Sequence, residues 1–132
     1  MYSVSVDRTR AMIRMTASGF FTMPLLEASA AELHAAIRSL GTLAGRHVTL
    51  YDYRGLKVVQ KDVLDRYGRY FTDTGMTRLW ARRVAFVTDS ALLGFQLQRI
   101  RRENMRVFAD PDEATAWLLE VQDDLPASAQ AA

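Results

Sequence analysis

The chain has 132 residues, 49% of them hydrophobic and 24% charged, and no cysteine. That is the balance of an ordinary soluble globular protein near the length of one domain, and it excludes disulfides, thiolate metal sites, iron–sulfur clusters and a cysteine nucleophile. The net charge of +2 hides an asymmetry: residues 1–109 carry all 17 Lys and Arg against nine acids, whereas residues 110–132 carry six acids and no base.

Met1–Arg10 lacks an apolar signal-peptide core, and no run approaches the ~18 apolar residues that a bilayer requires. A cytoplasmic protein with no transmembrane segment is expected. Tyr2–Asp7 sets Tyr2, Val4 and Val6 against Ser3, Ser5 and Asp7, the period of a strand with one polar face. Ala11–Ala17 is a second strand, with Ala11, Ile13, Met15 and Ala17 on one face. The short polar stretch between the two predicts an antiparallel hairpin. Gly19 and Pro24 bracket an apolar connector, Phe20-Phe21-Thr22-Met23.

Ser29-Ala-Ala-Glu32 has the spacing of a capping box ahead of a helix carrying Leu33, Ile37 and Leu40, unless that helix begins earlier, near Pro24. Gly41 and Gly45 can stop it. Val48–Tyr53 is β-branched and aromatic, hence a strand. Val59, Val63, Tyr67, Tyr70 and Phe71 share one helical face, with Gly75 as the stop. Arg83–Thr88 is apolar on both faces, as a central parallel strand requires. Asp89 or Ser90 caps a helix striped by Leu93, Leu97 and Ile100. Arg106–Ala109 is a short strand, and Asp110-Pro-Asp-Glu113 opens a last helix carrying Ala114, Trp117, Leu118 and Val121. The order β-β-α-β-α-β-α-β-α predicts one α/β domain over residues 1–122, with a mixed, mostly parallel sheet and an N-terminal antiparallel hairpin. A disordered C-terminal tail is expected over 123–132.

Chemistry-bearing patterns are sparse. The two histidines, His34 and His47, show no metal-ligand spacing, so no metal is expected. Gly-x-Ser-x-Gly is absent. A Ser90–His47–Asp52 constellation can be drawn, but capping explains Ser90. Phosphate-binding glycine motifs are absent, and no cofactor is expected. The carboxylate pairs Asp62/Asp65 and Asp110/Asp112 sit at helix starts. Arg99, Arg101 and Arg102 end a helix and complement its dipole, so nucleic acid is not expected. No residue is assigned a catalytic role. The aromatic face Tyr67, Tyr70 and Phe71 and the connector residues Phe20, Phe21 and Met23 fit either core packing or an apolar pocket, with Met12, Met15, Met23 and Met76 making such a surface adaptable.

The strings Arg83-Val-Ala-Phe-Val-Thr-Asp-Ser-Ala-Leu-Leu-Gly-Phe and Met105-Arg-Val-Phe-Ala-Asp-Pro-Asp-Glu-Ala-Thr-Ala-Trp-Leu resemble the C-terminal half of SpoIIAA-like proteins. These are members of the STAS group, which takes its name from sulphate transporters and anti-sigma-factor antagonists and is often placed with CRAL-TRIO lipid-binding proteins. In topology the resemblance extends over about residues 2–120. It implies a small mixed sheet and a non-enzymatic regulatory or protein-interaction module. Some such modules bind nucleotide or a kinase and are switched by phosphorylation of a serine. Asp52-Tyr-Arg-Gly-Leu56 looks like the family's strand end, which sets the switch string at about Gln60–Val63. No serine is present there, and Asp62 stands near its place.

The resemblance therefore implies a module without the phospho-switch, whose protein partner meets a surface of Asp52, Arg54, Lys57, Lys61 and Asp62. The alternative is a carrier or sensor of a small, lipid-like apolar ligand in a pocket lined by Phe20, Phe21, Met23, Tyr67, Tyr70 and Phe71. An exposed strand edge or aromatic helix face would also suit a homodimer.

Overall fold

The computed structural model describes residues 1–56, 58–72 and 80–123, with side chains through Glu120. β1 (Tyr2–Asp7) and β2 (Met12–Ser18) form the hairpin, in register from Tyr2 opposite Ala17 to Asp7 opposite Met12. The Asp7 carboxylate closes the turn by accepting from the Arg10 backbone N–H at 3.2 Å and from Arg10 Nε at 2.7 Å. Ala11, expected in the strand, lies in the turn with φ +49°. This left-handed conformation reverses the chain without the usual Asn-Gly pair.

α1 (Met23–Arg38) starts at Thr22, whose Oγ1 accepts from the Leu25 N–H at 3.4 Å, with Pro24 in the first turn. The earlier of the two expected starts is the one adopted. Ser29 does not cap. It is buried inside α1, and its hydroxyl donates back to the Leu26 carbonyl at 2.9 Å. A 3₁₀ turn at Gly41–Leu43 leads to β3 (Val48–Gly55). α2 (Lys61–Arg69) is shorter than expected. Val59 precedes it, Tyr70 caps its end, and Gly75 lies outside the described residues.

β4 (Arg83–Val87) is followed by α3 (Ala91–Ile100), where Ser90 Oγ accepts from the Leu93 N–H at 3.2 Å. β5 spans Met105–Phe108, and α4 spans Pro111–Asp123. Asp110 Oδ1 accepts from the Asp112 N–H at 2.9 Å at the head of α4. The tail expected over 123–132 falls outside the described residues from 124 onward.

The five strands lie in the order β1-β2-β3-β4-β5, with β1 antiparallel and the rest parallel. Each crossover steps the same way, so with uniform handedness α1, α2 and α3 share one face. There Ile13, Met15, Tyr51 and Phe86 pack with Leu26, Leu33, Val63 and Leu97. α4 covers the other face, where Ala114 and Leu118 meet Val48, Leu50, Ala85 and Val87. β4 is thus buried on both sides, which explains its unbroken apolar run. The fold is α/β with one mixed five-stranded sheet.

Candidate functional site

Between α1, the end of α2 and strands β3 and β4 lies a cavity of about 330 Å³. Its sheet wall is Met15, Thr49, Tyr51 and Val84, and its α1 wall includes Ala30, Leu33 and His34. The position of Ala30 explains the space. α1 turns Leu26, Ala30, Leu33 and Ile37 inward, and the methyl of Ala30 stops short where its neighbours fill.

The aromatic end is tightly built. Tyr51 stacks on Phe86 at 5.4 Å, and Tyr67 meets Phe71 edge-on at 5.1 Å. The Tyr53 hydroxyl donates to the Tyr67 hydroxyl at 2.9 Å, beside the ring of Tyr51. Burial pushes the pKa of all three tyrosines well above the ordinary phenol value. They are neutral hydroxyls throughout the physiological range. His34 lies edge-on to Tyr70 at 5.8 Å. Burial, and then the charge of Arg38, lower its pKa and favour the neutral ring.

Polar groups from two other segments border the opposite side. The Arg102 guanidinium lies 4.8 Å from the Trp80 ring centroid, and its Nη1 donates to the Phe71 carbonyl. Trp80 Nε1 donates to the Tyr70 carbonyl at 3.0 Å, and Asn104 Nδ2 to that of Ala81 at 3.1 Å. The cavity therefore offers an aromatic and aliphatic interior, neutral hydroxyls and an imidazole within, and the opposite charges of Arg102 and Glu103 at its border.

Of the six residues expected at an apolar pocket, Tyr67, Tyr70 and Phe71 line this cavity. Phe21 is core, packed 6.0 Å from Tyr53, and Met23 is half-buried in the first turn of α1. Phe20, beside Gly19 at the strand end, points the other way and is 89% exposed. Thr49, Trp80, Arg102 and Asn104 were not anticipated. They come from separate segments, and only the small residues at Ser29 and Ala30 hinted at space beneath α1.

The expected partner surface divides in two. Asp52 is 6% exposed. It is clamped by Arg54, through Nε at 2.9 Å and Nη2 at 2.7 Å, and by Arg14 Nη2 at 3.1 Å. The hydrogen bonds from Arg54 hold its pKa below the usual carboxylate range despite its burial, with Arg14 adding to the effect. Lys61 and Asp62 lie apart from it, exposed in the first turn of α2. Lys61 pairs with Asp65 at 3.2 Å, and Asp62 Oδ1 accepts from the Val63 N–H at 2.9 Å. Lys57 lies outside the described residues.

The drawn triad is not assembled. His47 precedes β3 while Ser90 follows β4, at opposite ends of a sheet in which Val48 is opposite Arg83 and Asp52 opposite Val87. Ser90 caps α3. Among the described residues no group of three His, Asp or Glu could hold a metal ion, and no helix is long and apolar enough to cross a membrane. No protein-family model matches the chain, and no curated protein matches it.

Proposed function

We propose that the protein is a non-enzymatic carrier or sensor of a small, largely apolar, ring-bearing ligand. The observation that carries this reading is the 330 Å³ cavity under Ala30. The space is partly open to solvent, which gives a ligand a way in, and an apolar cavity of about 150 Å³ suffices for benzene. A ring system would lie against the edges of Tyr67 and Phe71, with a hydrogen-bonding substituent facing Thr49 or His34. Titration with 1-naphthol, followed by tryptophan emission, tests it. Saturable quenching by the intact chain that disappears in Ala30→Phe supports the reading. Equal quenching in both proteins, or none in either, removes it.

A second reading keeps the resemblance to SpoIIAA-like STAS modules, in fold and in role. It is favoured by an apolar surface at the C-terminal ends of the strands. Val58, Leu92 and Phe95 are 50%, 57% and 72% exposed. The Gln96 side chain fastens α3 to the segment before α2, accepting from the Val59 N–H at 3.0 Å and donating to the Val59 carbonyl at 2.6 Å. Val58 immediately precedes this fastening, and Leu92 and Phe95 lie within one helical turn of Gln96. A partner protein with an apolar contact would dock there, steered by charges such as Lys61 and Asp62. A partner captured by the intact chain and lost with Phe95→Asp and with Lys61→Glu supports this reading. Unchanged capture by both variants dismisses the surface.

A further inference from the structure

A second polar feature lies at the N-terminal ends of the parallel strands. His47 precedes β3 and Arg82 precedes β4, and the Arg82 backbone N–H donates to the His47 carbonyl at 2.8 Å. Alternation along both strands sets these side chains on the face of Thr49 and Val84, two positions below the cavity wall. Neither residue lines the cavity.

His47 is 0% exposed. Its Nδ1 accepts from the Gly45 backbone N–H at 3.1 Å. A neutral imidazole that accepts at Nδ1 carries its proton on Nε2, so Nε2 is a donor. That Nε2 is buried and has no hydrogen-bond partner among the described residues. Arg82 spends its Nε on the Arg46 carbonyl at 2.8 Å. Its Nη1 and Nη2 are likewise buried without a partner among the described residues.

The unmet groups are all donors. The imidazole contributes one N–H and the guanidinium fork four. Local charge is positive as well: burial and then Arg82 lower the pKa of His47, while burial and then the like charge of Arg83 lower that of Arg82. Buried donor atoms left unpaired are destabilising unless an acceptor meets them, and beside the charge of the half-buried Arg82 a negative one suits best.

We propose that His47 Nε2 and the two terminal nitrogens of Arg82 form a binding site for a small oxyanion, a carboxylate or phosphate group. The planar fork of an arginine matches two oxygens of such a group, and the imidazole N–H supplies a third bond. A single water would accept two hydrogen bonds and leave the charge unpaired. An oxyanion supplies several lone pairs and the missing negative charge. The site is independent of the ligand proposed for the cavity.

The test uses the full-length chain, ¹⁵N-labelled, titrated with inorganic phosphate and separately with acetate at constant ionic strength. The His47 Nε2 and Arg82 side-chain resonances report. The expected result is a saturable shift of both with at least one of the anions, with half-saturation at millimolar concentration or below. Arg82→Met should abolish saturation, Arg82→Lys should weaken it at least tenfold, and Arg106→Gln, an exposed control on β5, should leave it unchanged. If the Arg82 variants do not fold, the His47 shift in the intact chain decides. A linear drift without saturation, or saturation that survives Arg82→Met, overturns the proposal and leaves water as the occupant.

Discussion

Tyr53 and Tyr67 share a 2.9 Å hydrogen bond between hydroxyls buried in the core between the sheet and α1, α2 and α3. One comes from β3 and the other from α2, so the bond fastens a helix to the sheet through the only polar atoms of two otherwise apolar rings. Tyr67→Phe leaves the Tyr53 hydroxyl without its acceptor, and a buried polar group left unpaired costs about 1–3 kcal/mol. The double variant Tyr53→Phe with Tyr67→Phe is expected to lose less than the sum of the single changes. Urea unfolding of all four proteins measures that coupling.

The same burial sets an alkaline limit. The folded pKa values of Tyr51, Tyr53 and Tyr67 lie above the unfolded value of about 10. The folded chain thus keeps protons that the unfolded chain gives up. The stability tied to these groups is intact below pH ~10 and falls as the pH rises beyond it. Phenolate absorbance of these three tyrosines should appear only together with loss of the circular-dichroism signal. Ionisation of all five tyrosines in the folded chain would contradict their placement.

Asp52 acts at the other end of the scale. Its folded pKa is depressed, so its contribution is present above the unfolded value of about 3.9 and is lost as the pH falls through the lowered folded value. Asp52→Asn should cost roughly 1 kcal/mol at neutral pH, because both arginines are nearly half exposed and solvent screens them. The difference from the intact chain should shrink below pH ~4. Chemical unfolding at pH 3 and pH 7 checks both statements.

Filling the cavity has a directional outcome. Ala30→Leu adds apolar volume to a space of about 330 Å³, and recovered cavity volume is worth ~24 cal/mol per Å³. A gain of roughly 1 kcal/mol in the ligand-free protein is expected, together with weaker binding of 1-naphthol. A destabilised variant that still binds would show that the space lies elsewhere.

Gly55 sits where β2 and β3 fall out of register, with its carbonyl accepting from the Gly19 N–H at 3.3 Å. A Cβ there would lie 2.5 Å from Ser18 Cβ and 3.2 Å from the Ala17 carbonyl oxygen. Gly55→Ala should therefore cost about 1–3 kcal/mol, the cost of overpacking. Thermal unfolding compared with Ser18→Gly/Gly55→Ala, which removes the nearest clashing atom and should recover part of the loss, distinguishes this clash from a general strand effect.

Much of the architecture was legible in the chain because each element carried its own period. The alternation of Tyr2–Asp7, the two-sided apolar run of Val84–Val87 and the Asp110-Pro111 helix start are local signals, and the elements appear where those signals lie. Ambiguity arose where two local signals competed. Thr22 with Pro24 and Ser29 with Glu32 both read as helix starts, and the first prevailed because the turn between them could pack Leu26 into the core.

Strand order and site composition were not local. Periodicity shows that Tyr67 and Phe71 face a core but not which segments meet them there. The cavity joins Ala30, Thr49, Trp80 and Arg102, separated along the chain and brought together by the crossovers. That His47 Nε2 and the terminal nitrogens of Arg82 meet no acceptor among the described residues is likewise visible only once β3 and β4 are side by side. The sequence alone determined which residues turn inward, since that depends on neighbours three or four positions away in a helix and two in a strand. Only the tertiary structure decided which inward groups share a space and which are left without a partner, because those depend on contacts between residues distant in the chain.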